Sequence, residues 1–98
     1  MLHIVNKSPL ERNALAACLR IATGGTVLLI EDAVYAAVRG TATEAAVRAA
    51  LARLTIVALK PDLDARAVAD RVIDGIDTVD YEGFVDLVAN HPNCQSWL

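Results

Sequence analysis

Thr26-Val27-Leu28-Leu29-Ile30 is an unbroken apolar run with β-branched members, and Glu31-Asp32 follow it without a gap. A strand with one wet face alternates apolar and polar residues. Such a run without alternation predicts instead a strand buried on both faces, as in a parallel sheet covered by helices. Upstream, Leu2 to Val5 predicts a short strand entering the same core. Downstream, Leu54 to Leu59 predicts another.

The stretches between these runs carry helix signals. Ser8-Pro9-Leu10-Glu11 fits a capping box with proline at the first helical position, and that helix is expected to run to about Thr23. Gly24-Gly25 is expected to stop it as a plain C-cap. Asp32 is placed to cap a short helix through Val38, closed by Arg39-Gly40. Thr43 to Arg53 predicts a second helix with a Glu44–Arg48 pair on its solvent side. Pro61 opens a helix carrying Asp62 and Asp64 in its first turns and ending near Asp70. Val72-Ile73 and Thr78-Val79 predict short β pieces. Asp80 is placed to cap a last helix, Tyr81 to Ala89, with Val79 and Phe84 as a hydrophobic staple. Gln95-Ser96-Trp97-Leu98 predicts a final short strand. Strands alternating with helices in this order predict an α/β fold. The simplest version is a flavodoxin-like three-layer sandwich around a mostly parallel sheet of four or five strands.

Ninety-eight residues are expected to form one domain, 1–98. The composition is 55% apolar and the mean hydropathy is +0.40. A chain this short buries only about 60–65% of its unfolded surface. Some apolar residues are therefore expected to stay outside, and subunit contacts are the usual reason. The net charge is −3 and the nine cations are scattered, so no phosphate-neutralising patch forms and direct nucleic-acid binding is not expected. No apolar run reaches the ~18–20 residues that span a bilayer, and Met1-Leu2-His3-Ile4-Val5 lacks the marks of a signal peptide. A cytoplasmic location is the expectation, and it argues against pairing Cys18 with Cys94.

Signatures of catalysis are sparse. There is no phosphate-binding glycine loop, no C-x-x-C, no H-E-x-x-H and no G-x-S-x-G, so neither a cofactor nor a metal is expected. Cys18 is the candidate catalytic residue, because a thiol can serve as a nucleophile where it is accessible and ionised. At about 100° per residue, a helical wheel sets Cys18 inside an arc of Leu10, Ala14, Leu15, Ala17, Leu19, Ile21 and Ala22, with Arg12 and Arg20 on other sides. That placement favours packing over reactivity. Cys94 lies in a polar C-terminal loop near His91. His3 is expected to hydrogen-bond a neighbouring segment. Asp32, Asp62 and Asp80 are each accounted for as helix caps. Trp97 is the candidate interface residue, set either to pack back on the domain edge or to enter a neighbour.

Five segments, in order, resemble the TusB/DsrH family. These are Leu2-His3-Ile4-Val5-Asn6-Lys7-Ser8-Pro9, then Leu28 to Ala37, then Pro61-Asp62-Leu63-Asp64-Ala65-Arg66, then Val79 to Leu87, and Gln95-Ser96-Trp97-Leu98. The resemblance implies a subunit that assembles with DsrE/TusD-like and DsrF/TusC-like paralogues into a cytoplasmic heterohexamer relaying persulfide sulfur. Alone, such a subunit is expected to form a homo-oligomer or aggregate. It also implies that the persulfide-forming cysteine belongs to the DsrE/TusD type, just after its third strand. Here that place is Leu59-Lys60-Pro61, without cysteine. This chain is then not an enzyme by itself but part of a sulfurtransferase complex. Asn6 to Asn13 and Cys18 look more like the DsrH branch, which implies sulfur oxidation with a DsrC-type carrier. The alternatives are a TusB-type subunit serving tRNA 2-thiouridine synthesis through a TusE-type carrier, or a sulfurtransferase acting directly through Cys18.

Overall fold

In the computed structural model, which describes residues 1–9 and 13–97, five strands form one fully parallel sheet. They are β1 (Leu2–Val5), β2 (Thr26–Leu29), β3 (Thr55–Leu59), β4 (Asp77–Val79) and β5 (Cys94–Trp97). The order across the sheet is β4-β3-β2-β1-β5. β2, which holds the deciding apolar run, lies inside the sheet, with β1 and β3 beside it, and all four of its residues are buried. The α/β sandwich expected from the sequence is therefore present, with the reversal of strand order at β1.

Four α-helices connect the strands: α1 (Ala14–Ile21), α2 (Glu44–Ala50), α3 (Lys60–Ala65) and α4 (Tyr81–Asn90). Right-handed crossovers dictate where they lie. The steps from β1 to β4 all move one way, so α1, α2, α3 and the 3-10 segment Glu31–Ala37 share one face. The step from β4 to β5 moves back across the sheet and puts α4 on the other. Side chains follow the period of two. Val5, Val27, Leu29, Ile56 and Ala58 enter the larger core with Leu15, Cys18, Val47 and Leu63. Leu2, Leu28 and Val57 form the smaller core, on which Phe84 and Leu87 of α4 rest. No residue of α4 is itself buried.

Several element boundaries differ from the sequence expectation, each for a local reason. Helix α1 begins at Ala14, with Asn13 at the N-cap position. Ser8 is buried beyond β1, and the expected capping box and wheel run through Leu10, Glu11 and Arg12, which lie outside the described residues, as does Leu98. Asp32 to Val38 was expected to be α-helical, but Glu31–Ala37 is a 3-10 helix. Four of its residues, Ala33, Val34, Ala36 and Ala37, are completely buried, so tight packing against the sheet sets its pitch. Helix α3 stops at Ala65 instead of near Asp70, because Ala67 adopts a positive φ of 56°. Val72 joins no sheet strand; it forms an isolated antiparallel bridge with Val38. Asp80 does cap α4, its carboxylate accepting from the Gly83 N–H at 2.8 Å.

Gly24-Gly25 was expected to be the C-cap of α1. The helix ends earlier, at Ile21, and Ala22 turns into the core in an extended conformation. Gly25 instead serves the entry to β2. Its φ is +100°, and a Cβ there would strike the Met1 carbonyl oxygen, the same oxygen that accepts from the Thr26 N–H. Gly25→Ala is therefore expected to lower the unfolding free energy by about 2 kcal/mol or more. A urea titration checks this, and an unchanged midpoint would contradict the close approach of β1 and β2.

Candidate functional site

Cys18 occupies the inward face of α1, and none of its surface is exposed. Burial pushes its thiol up from 9.0 to about 11. The Arg53 guanidinium acts in the opposite sense, and burial wins. Arg53 is engaged elsewhere: it donates to the Leu19 carbonyl at 2.5 Å and the Ala22 carbonyl at 2.8 Å, closing the C-terminus of α1. A thiol titrating near 11 is ionised in about one molecule in ten thousand at neutral pH. Such a group is a poor nucleophile. Leu15, Leu19 and Ala22 surround it as the wheel places them. Ile21 departs from that arc: it is the last residue of the helix and is exposed.

Cys94 opens the edge strand β5, exposed to solvent and paired in register with Leu2. The Nδ1 of His91 donates to the Leu87 carbonyl at 2.7 Å and closes α4. Both cysteines are free thiols. Among the described residues, no group of three or more His, Cys, Asp or Glu is arranged to hold a metal. No helix among them is long and apolar enough to cross a membrane.

The C-terminal ends of β2 and β3 gather charge that the sequence reading assigned to capping. Asp32 does not cap the helix that follows it. Its Oδ1 accepts from Arg66 Nε at 3.1 Å and Nη2 at 2.8 Å. Asp62 does not cap its own helix either. Its Oδ2 accepts the Glu31 N–H at 2.7 Å, and its backbone carbonyl accepts from Arg66 Nη1. Arg66 also lies 6.0 Å from the centre of the Tyr35 ring. The Asp32 hydrogen bonds raise the Arg66 pKa above its ordinary value. One arginine thus ties the 3-10 segment to α3, and Glu31 is held at a positive φ of 51° between them. Backbone strain of that kind needs a surrounding that over-determines it. Arg66 had no assigned role in the sequence reading, although its spacing of four from Asp62 on α3 was visible. The neighbouring junction Leu59-Lys60-Pro61, where the resemblance would place a persulfide cysteine, is instead the start of α3, with Lys60 paired to Asp64 at 2.9 Å.

Trp97 packs back. Its side chain lies half-buried against the larger core, and its indole N–H donates to His3 Nδ1 at 3.1 Å. The segment His3 was expected to bond is therefore β5. Accepting at Nδ1 fixes His3 as the neutral tautomer with its proton on Nε2. Burial first, and the nearby N-terminal ammonium second, lower its pKa below 6.5.

The family model described as DsrH like protein matches residues 7–94. Protein TusB from Enterobacter sp. (strain 638) is 35% identical over 97 residues, which span 99% of this chain and 100% of that protein. Protein TusB from Escherichia coli (strain K12) is 33% identical over the same shares. The crystal structure of the ychN protein from E. coli superposes with a TM-score of 0.79 at 19% identity, covering 97% of each chain. The structure of MTH1491 from Methanobacterium thermoautotrophicum gives 0.76 at 15% identity, covering 97% of this chain and 95% of the other. At such identities the two structures speak for the fold alone.

The His3–Trp97 bond makes a pH prediction. The folded pKa lies below that of the unfolded chain, so the unfolded chain takes up the proton first as pH falls. The contribution of His3 is complete above about pH 6.5 and declines as pH drops from there toward the lowered folded value. Urea midpoints measured between about pH 7.5 and pH 5.5 should fall more for the wild type than for His3→Gln. Parallel pH curves for the two proteins would contradict the assigned tautomer.

Proposed function

This chain belongs to the DsrH-like family, and we propose on that premise that it is a TusB-type, non-catalytic subunit of a cytoplasmic sulfur relay supporting 2-thiouridine synthesis in tRNA. It acts as one domain over residues 1–98, beside TusC-like and TusD-like paralogues in a heterohexamer. A TusE-type carrier then exchanges sulfur with the complex rather than with this subunit. Residues Asn6 to Asn13 and Cys18 had pointed to the sulfur-oxidation branch. Two TusB proteins at 33–35% identity across their whole length support the tRNA branch better.

The observation that carries the non-catalytic reading is the burial of Cys18. A sulfur carrier must meet its donor and acceptor in turn, and a fully covered thiol with a pKa near 11 meets neither. The exposed Cys94 has access, but it opens an edge strand rather than a helix. Trp97, bonded to His3, contributes to holding β5 on the sheet and offers its half-exposed edge to a neighbour. The sulfur-oxidation reading remains the second one, because the matching family model is DsrH-like. In it the fold and the buried thiol are the same and the carrier is of DsrC type.

Deleting the gene in its host is expected to remove 2-thiouridine from tRNA, and both the wild type and Cys18→Ala should restore it. The variant leaves a small void and loses about 1–2 kcal/mol of stability, so its folding is verified by thermal melting. Mass spectrometry of digested tRNA gives the readout. A deletion strain with undiminished 2-thiouridine would sink the tRNA reading. Failure of folded Cys18→Ala to restore the modification would return that thiol to the chemistry.

A further inference from the structure

Helix α4 is apolar over more of its circumference than the sheet can use. Phe84 and Leu87 lean on the smaller core, yet Tyr81, Val85 and Val88 stay exposed, the first two at 63% and 62%. Spacings of four and three place these three on one stripe, the pattern by which a helix offers itself to a partner. Tyr81, Phe84 and Val85 form one wall of an open groove of about 300 Å³ at the C-terminal ends of β2 and β3. Ile30 and Leu59 contribute the rest of its apolar lining, and Glu31 and Asp62 its charge.

Charge selects the occupant. Among the described residues, the groove is lined by two carboxylates and no cation. Asp62 is already engaged by the Glu31 N–H and by Arg66, whereas among the described residues no ion pair engages the Glu31 carboxylate. Helix α4 adds Glu82 and Asp86 and carries no Lys or Arg. From Val72 to Leu98 the chain has Asp74, Asp77, Asp80, Glu82 and Asp86 without a single Lys or Arg; all its cations precede that point. A two-fold pairing of this face with itself would bring the same carboxylates together, and like charges across an interface cost affinity.

We propose that the groove beside α4 docks a different protein chain, one that inserts apolar side chains flanked by Lys or Arg. This rests on the reading of the chain as a subunit of a hetero-assembly and names the surface and the partner chemistry for it. An apolar centre inside a charged rim is the usual anatomy of such a contact. The apolar stripe supplies the affinity, and the carboxylates set partner choice and salt dependence.

The test co-expresses the full chain with the TusC-type and TusD-type subunits of the same genome and reads assembly by native mass spectrometry at low and high salt. Val85→Asp should reduce assembly at least about tenfold. The double variant Glu82→Lys with Asp86→Lys should weaken it about three- to tenfold and flatten its salt dependence. Ile21→Asp, at an exposed apolar residue on the other side of the sheet, should assemble like the wild type. All these positions are exposed, and circular dichroism verifies that each variant folds. If the wild type ignores both paralogues, the functional reading fails together with the groove. If the wild type assembles and Val85→Asp assembles equally well, or Ile21→Asp loses as much, the groove alone falls. Self-association of the isolated wild type that Val85→Asp abolishes would also overturn the proposal.

Discussion

A parallel sheet has two faces to cover, because its strands carry apolar residues on both. Right-handed crossovers decide how the covering is shared. With the order β4-β3-β2-β1-β5, every connection but the last falls on one face. That face receives α1, the 3-10 segment, α2 and α3, and its core is continuous from Val5 to Ile76. The opposite face has α4. Three side chains, Leu2, Leu28 and Val57, are buried there, and each contributes about 1.5–3 kcal/mol by leaving water. The remainder of that face, and the outer flank of α4, stay greasy and wet.

The same constraint explains the thiol. Cys18 belongs to the well-covered face, where it fills space between Leu15, Leu19 and the sheet. Arg53, a cation that lowers its pKa, is committed to the carbonyls ending α1. Desolvation therefore outweighs attraction, and the sulfur behaves as a small apolar group. At the ends of β2 and β3, where open α/β sheets commonly do their chemistry, Arg66 is tied to two aspartates beside an open groove that, among the described residues, no cysteine lines. Both observations support the proposed role of a subunit that contributes surface and shape rather than a reactive thiol.

Much of this was legible in the sequence, and the parts that were not share a cause. The run Thr26 to Ile30 marks a doubly buried strand because burial on both faces removes the alternation. Asp80 reads as a cap because its partner, Gly83, lies three residues away. Asp32 and Asp62 misled because their partners are distant in sequence: Arg66 is 34 residues from Asp32, and the Glu31 N–H is 31 from Asp62. No local pattern distinguishes a capping aspartate from one captured by a remote arginine. The long 3-10 segment was read as α-helix, since pitch there is set by packing of small alanines on the sheet. The burial of Cys18 was visible on a helical wheel, but the His3–Trp97 bond was not, because it joins the two ends of the chain.

On the proposed reading, the face covered by α4 is finished by another chain. Amide hydrogen exchange over residues 81–90 measures this directly. In the isolated chain, α4 should exchange much faster than the buried strands β2 and β3, since none of its residues is enclosed. On assembly with the paralogous subunits, α4 should become strongly protected while α1 changes little. Equal exchange of α4 in the free and assembled protein would contradict the account.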